Sequence, residues 1–103
     1  MLLLLYDITN DRIRNKVADC CLDYGLERIQ YSAFLGELSR THREELMLRL
    51  KRIMGRHSGV IQSFNLCQSC WAVRTTLGKP LAMVTHFNRP IPPIELEEEQ
   101  PNE

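Results

Sequence analysis

At 103 residues the chain is expected to form one domain with a modest core. Its 44% hydrophobic and 25% charged residues match an ordinary soluble globular protein. The net charge of zero hides an asymmetry: five of the 13 acidic residues lie in 94–103, leaving eight against 13 basic residues, a body of charge +5. A basic body with an acidic tail suggests an anionic partner such as nucleic acid. A solvated surface with a solubilising tail accounts for the same numbers.

The first element is Leu2-Leu3-Leu4-Leu5-Tyr6-Asp7-Ile8. It is far shorter than the roughly 20 apolar residues a membrane span needs. No basic residue precedes it and no small-residue cleavage site follows, so it does not read as a secretory signal. Turn-forming Thr9-Asn10-Asp11 follow at once, which predicts a strand. Leu2, Leu4 and Tyr6 then share one face, and Leu3, Leu5 and Asp7 the other. Both faces are apolar up to Asp7, so both are expected to be covered.

Residues 11–24 read as a helix capped by Asn10 or Asp11 and ended by Gly25, with Ile13, Val17, Cys20 and Tyr24 on its core face. Residues 27–38 read as one long strand in which Ile29, Tyr31, Ala33 and Leu35 alternate with Arg28, Gln30, Ser32 and Phe34. The second set ends on Phe34 and looks like a face that meets something. Thr41-His42-Arg43-Glu44 resembles a capping box, opening a helix that runs to about Arg56 with Leu46, Leu50, Ile53 and Met54 buried. Arg49, Arg52 and Arg56 form a stripe that can touch phosphates or simply be solvated.

Val60–Leu66 and Trp71–Thr75 read as strands joined by Cys67-Gln68-Ser69-Cys70, and Leu81–Phe87 as a last short strand. From Pro90 the chain turns proline-rich, then acidic, so a domain over 1–87 and a tail over 88–103 are expected. The element order fits an α+β, ferredoxin-like two-layer sandwich with an extra C-terminal strand. Two helices cover only one face of such a sheet. A second copy of the chain, sheet against sheet, is the simplest cover for the other, which predicts a homodimer.

Asp7 ends the first strand on the Leu3/Leu5 face. Taken alone it reads as a strand-ending residue that caps a turn. Across a two-fold axis, two copies would place two carboxylates together, and these need a proton or a cation. Mg²⁺ suits oxygen ligands and retained water, and such a water can attack a phosphodiester. The CxxC at Cys67 and Cys70 is half of a zinc site and joins predicted strands, so it reads as a structural hairpin. With no export signal, a reduced, cytoplasmic setting is the default. His42, His57 and His86 show no spacing for a metal or a base pair.

The stretch Tyr6-Asp7-Ile8, then Arg12-Ile13-Arg14-Asn15-Lys16, then Gly25-Leu26-Glu27-Arg28-Ile29-Gln30-Tyr31-Ser32-Ala33-Phe34 closely resembles the small CRISPR-associated adaptation protein, also called the CRISPR-associated endoribonuclease family. Motif order and spacing match over roughly the first 40 residues. The resemblance implies a ferredoxin-like homodimer with Asp7 at the interface binding a divalent metal, Mg²⁺ or Mn²⁺. It implies metal-dependent nuclease activity on RNA or DNA. It also implies a role as the non-catalytic bridge between copies of the larger integrase subunit during spacer acquisition. Tyr6, Asp7, Arg14, Lys16, Arg28, Ser32 and Phe34 match positions implicated near the active site. Lys16 stands where relatives also carry arginine, which weakens bidentate phosphate contact there. Leu81–Phe87 is expected to pair with the partner protomer's sheet, and the CxxC gains no role. Three functions follow: a nuclease acting across the dimer, a nucleic-acid-binding scaffold that docks the integrase, or a toxin-like ribonuclease of the same fold.

Overall fold

Alternation within β1 (Leu2–Asp7) divides the molecule into two sides. Leu2, Leu4 and Tyr6 are buried, whereas Leu5 and Asp7 are exposed and Leu3 is half-buried. The computed structural model describes residues 1–79, so the expected strand at 81–87 and the tail at 88–103 lie outside the described residues. The remaining elements are α1 (Asp11–Asp23), β2 (Glu27–Gln30), β3 (Ala33–Gly36), α2 (Arg40–Met54), β4 (Val60–Asn65) and α3 (Gln68–Ala72).

The four strands form one antiparallel sheet in the order β2-β3-β1-β4, with β1 central. This is the α+β, ferredoxin-like sandwich expected from the element order. Helices α1 and α2 pack side by side over one face. Val17 and Cys21 of α1 and Leu46 and Leu50 of α2 are buried with Leu2, Leu4, Tyr6 and Phe34 in a single core. Burying each large apolar side chain there contributes about 1.5–3 kcal/mol of transfer free energy.

The cap chemistry explains where the helices start and stop. Asn10 is the N-cap of α1, its side-chain oxygen accepting the Ile13 amide at 3.0 Å. At the other end Gly25 adopts φ +83°, and the amides of Gly25 and Leu26 donate back to Leu22 and Cys21. That is a Schellman ending, which glycine accommodates without strain. Helix α2 begins earlier than the Thr41-Glu44 pattern suggested. Ser39 caps it, its hydroxyl accepting the His42 amide at 3.1 Å, and Glu44 instead pairs with Arg40 one turn back.

Two expectations are corrected. The run 27–38 is not one strand but a hairpin, β2 and β3, turning at Tyr31-Ser32 with a register shift between Arg28 and Gln30. A twelve-residue strand would be twice the usual length, and the polar Gln30-Tyr31-Ser32 segment breaks it. Phe34 consequently faces the helices and is fully buried, not presented to a partner. The second correction is at residues 71–75, where no strand forms. Cys67 caps the short helix α3, its sulfur accepting the Cys70 amide at 3.3 Å. The CxxC therefore opens a helical turn and does not join two strands.

The opposite sheet face is incompletely covered. Register pairs Leu3 with Phe64, Leu5 with Gln62 and Asp7 with Val60 on that side. Leu5 is 38% exposed, Phe64 43% and Val60 45%. Ala33 and Leu35, which pair with Leu5 and Leu3 in β3, are buried.

Candidate functional site

At the end of the sheet where β1 runs into α1, two arginines meet three aromatic rings. Arg14 lies in the first turns of α1. It donates to the Ile8 carbonyl at 3.0 Å and the Thr9 carbonyl at 3.4 Å, and it ion-pairs with Asp11. These bonds tie the guanidinium over the β1–α1 loop. Its carbon sits 5.8 Å from the centre of the Tyr31 ring. Arg28 approaches the same ring from β2 at 5.7 Å and also lies 5.1 Å over the ring of Phe34. Its terminal nitrogen is 3.5 Å from the Tyr6 hydroxyl. Tyr6 stacks on Phe34, with ring centres 6.1 Å apart.

The cluster thus has a buried floor of Tyr6 and Phe34, two fixed guanidiniums, and an outward ring, Tyr31, that is 68% exposed. The buried Nε of Arg14 and of Arg28 has no hydrogen-bond partner among the described residues. Guanidiniums braced on aromatic faces keep their planar donors directed and their charge intact, which suits them to phosphate oxygens. Burial pushes the Tyr6 phenol above its usual value, with Arg28 pulling the other way, so this hydroxyl stays protonated at neutral pH and is no general base. Ser32 takes part through its backbone, its carbonyl accepting the Tyr6 amide at 3.1 Å.

Asp7 is next to Tyr6 in sequence but on the other side of the sheet, exposed beside Val60. The turn before β4 presses on it. Gly59 has φ +145°, and a Cβ there would meet the Asp7 carbonyl oxygen at 3.0 Å. Among the described residues no group of three or more histidine, cysteine or acidic side chains is placed to hold a metal. Asp7 supplies one carboxylate per chain. Mg²⁺ is commonly held by one or two carboxylates plus waters and phosphate, so the donor chemistry fits Asp7 from one chain or a pair from two.

Lys16 does not join the cluster. Residues two apart on a helix point to different sides, and Lys16 lines a separate cleft with Asp19, Asp23, Arg49 and Arg52. The arginine stripe of α2 therefore borders acidic residues of α1. Of the seven residues singled out, Tyr6, Arg14, Arg28, Ser32 and Phe34 come together, while Asp7 and Lys16 stand apart from them. Tyr31 was missed as a site residue because in a continuous strand it falls on the face opposite Arg28. The signal that locates it is the excessive length of that strand, which demands a turn at its middle.

Residues 1–74 match the family model described as CRISPR associated protein Cas2. A Chloroflexus aurantiacus protein named CRISPR-associated endoribonuclease Cas2 2 is 51% identical over 75 residues, 73% of this chain and 88% of that one. A Thermoproteus tenax protein named as a CRISPR-associated endonuclease Cas1/endonuclease Cas2 fusion is 48% identical over 50 residues, 48% of this chain and 19% of that one. The crystal structure of Streptococcus pyogenes Cas2 superimposes with a TM-score of 0.66 at 26% identity, covering 75% of this chain and 98% of that one. Sequence and fold agree: the chain belongs to the CRISPR-associated protein Cas2 family.

Proposed function

We propose that the chain serves CRISPR adaptation as a two-fold bridge: two copies close sheet against sheet, hold nucleic acid, and seat the integrase subunit during spacer acquisition. The observation that supports this reading best is the uneven cover of β1, whose Leu5 is exposed beside Val60 and Phe64 on the face that ends in Asp7. A second copy of that face is a self-complementary cover and places Asp7 of each copy at the same axis. The fused relative from Thermoproteus tenax supports an integrase partner. A cytoplasmic setting, where such nucleic acid is met, belongs to the same proposal. Among the described residues no helix is long and apolar enough to cross a membrane.

Asp7 from each copy would hold Mg²⁺ or Mn²⁺ together with water. When bound, the ion supplies an activated water and offsets charge on a phosphodiester. The chain's own contribution is positioning. Arg14 and Arg28 grip backbone phosphates, which carry most sequence-independent affinity. Phe34 and Tyr6 hold Arg28 in place, and Tyr31 offers a face on which an unpaired base can stack. Lys16, Arg49 and Arg52 add positive charge from the other cleft.

The separation of Asp7 from the arginine cluster favours the scaffold as the cellular role, with endonuclease activity on RNA or DNA secondary. Labelled RNA and duplex DNA, incubated with Mg²⁺ and with EDTA, test the nuclease. EDTA is expected to stop cleavage, and Asp7→Ala to slow it by about hundredfold or more, as loss of a direct ligand should exceed that of its outer-shell support. If Asp7→Ala cleaves as fast as the parent, the nuclease assignment to Asp7 fails. Retained nucleic-acid binding in that variant supports the scaffold.

A further inference from the structure

Two cysteines play no part in that reading, yet their arrangement is specific. Cys67 and Cys70 are both exposed and free, at the end of the sheet where β4 leaves it. The segment is anchored on both sides. Met1 and Leu66 exchange two hydrogen bonds of 2.8 and 2.7 Å, and the Gln68 side-chain Nε2 donates to the Glu37 carboxylate at 3.4 Å. Within this frame Cys67 Sγ accepts the Cys70 amide at 3.3 Å and lies 3.2 Å from the Ser69 hydroxyl. The first turn of α3 thus folds Cys70 back over the Cys67 sulfur. Residues three apart in a helical turn have Cβ atoms about 5–6 Å apart, against about 3.5–4.5 Å in a disulfide, so closing the bond requires the short turn to tighten by about 1–2 Å. Cys20 and Cys21, by contrast, are buried in α1.

We propose that Cys67 and Cys70 form a reversible dithiol–disulfide site that reacts with low-molecular-weight disulfides such as glutathione disulfide. The Cys67 thiolate attacks one sulfur of the small disulfide, forming a mixed disulfide and releasing one small thiolate. Cys70 loses its proton and attacks Cys67 Sγ, closing the protein disulfide and releasing the second small thiolate. The protein dithiol is oxidised by two electrons and the small disulfide is reduced to two thiols, so the reaction balances. An excess of small thiol reverses both steps.

The roles are set by environment. Hydrogen bonds from the Ser69 hydroxyl and then from Cys70 bring the Cys67 thiol down to about 7, whereas the hydrogen bond to Cys67 holds Cys70 above its ordinary value. Cys67 is therefore the attacking sulfur and Cys70 the resolving one. Burial pushes Cys21 up to about 12, which leaves it inert as an internal control. The proposal rests on residues 67–70 and does not depend on the assembly proposed above.

The test uses the full chain, equilibrated without oxygen at pH 7 in glutathione buffers of graded ratio, trapped with an alkylating agent and read by intact mass and peptide mapping. The expected product is a single chain lighter by two hydrogens, with the bond mapped to Cys67–Cys70 and reversed by dithiothreitol. Cys70→Ser should instead accumulate a stable glutathione adduct on Cys67, and Cys67→Ser should form neither product. In the reduced parent, Cys67 should alkylate about sixfold faster than a thiol at the ordinary value: about 50-fold more thiolate, less about eightfold for its lower basicity. A bond between two chains, a mixed disulfide that persists in the parent, consumption of Cys20 or Cys21 in place of the pair, or no oxidation at any ratio overturns the proposal.

Discussion

Replacing Phe34 by alanine separates a packing role from a direct part in nucleic-acid binding. Phe34 is fully buried, stacks on Tyr6 and lies under the Arg28 guanidinium. Deleting a buried phenyl ring costs about 3–5 kcal/mol in transfer and cavity terms together. For a domain of this size each kcal/mol moves the melting temperature by about 4–8 °C, so Phe34→Ala should melt at least about 12 °C below the parent. Phe34→Leu keeps most of the volume and should cost under about 1.5 kcal/mol, while removing the ring beneath Arg28. Melting followed by circular dichroism at one fixed protein concentration gives the stabilities, and binding to labelled duplex DNA gives the affinities. The concentration must be held constant because any association between chains adds to apparent stability. Phe34→Ala that melts within about 4 °C of the parent yet no longer binds DNA would refute the core assignment and return Phe34 to the ligand.

The other predictions concern the surface. Leu5→Lys places a charge on the open sheet face beside Phe64; light scattering should show a dimer for the parent, as proposed, and a monomer with unchanged circular dichroism for the variant at the same concentration, and a dimer of the variant would move the interface elsewhere. Arg28→Ala should lower the slope of log affinity against log salt by about 0.9 for each duplex phosphate that the guanidinium neutralises in the parent; an unchanged slope would mean that Arg28 only braces Tyr31 and Phe34. The lowered Cys67 thiol is deprotonated above its midpoint and protonated below it, so its alkylation rate should fall as pH drops through about 7. In Ser69→Ala, which removes the hydroxyl beside the sulfur, that midpoint should rise, and a profile identical to the parent's would remove Ser69 from the account.

The fold was legible where one periodicity ran unbroken. The short apolar run ending at Asp7 and the helical spacing of Ile13, Val17 and Cys20 predicted elements that form where read, although β1, apolar on both faces, buries only the face of Leu2, Leu4 and Tyr6 fully. The hairpin was not legible in the same way. Ile29, Tyr31, Ala33 and Leu35 keep step across a turn, so two short strands imitate one long one, and only the hydrogen-bond register reveals the shift at Arg28–Gln30. Residues 67–75 failed for a different reason. Tryptophan, valine and threonine favour strands by propensity, but the Cys67 sulfur captures the Cys70 amide and commits the chain to a helical turn instead. A side-chain-to-backbone bond of that kind has no periodic signature. The arginine cluster was half legible: basic residues at 14 and 28 stood out, while their convergence on Tyr31 depends on the turn that the sequence concealed.

The pair Tyr6-Asp7 shows how a strand can distribute two functions. Because neighbouring side chains point to opposite faces, Tyr6 supports the arginines under the helices while Asp7 stands on the face left open. The phosphate contacts proposed for Arg14 and Arg28 and any chemistry at Asp7 would then be addressed from different sides of one sheet. A single chain cannot bring both to one phosphodiester unless the nucleic acid wraps around the end of β1. The proposed dimer would keep that separation, with Asp7 of each copy on the shared face and the arginine clusters away from it. Such an arrangement is poorly suited to a compact catalytic centre and well suited to a spacer that grips a long duplex at two separated points. The geometry of β1 is thus itself a reason why the proposed function puts holding before cutting.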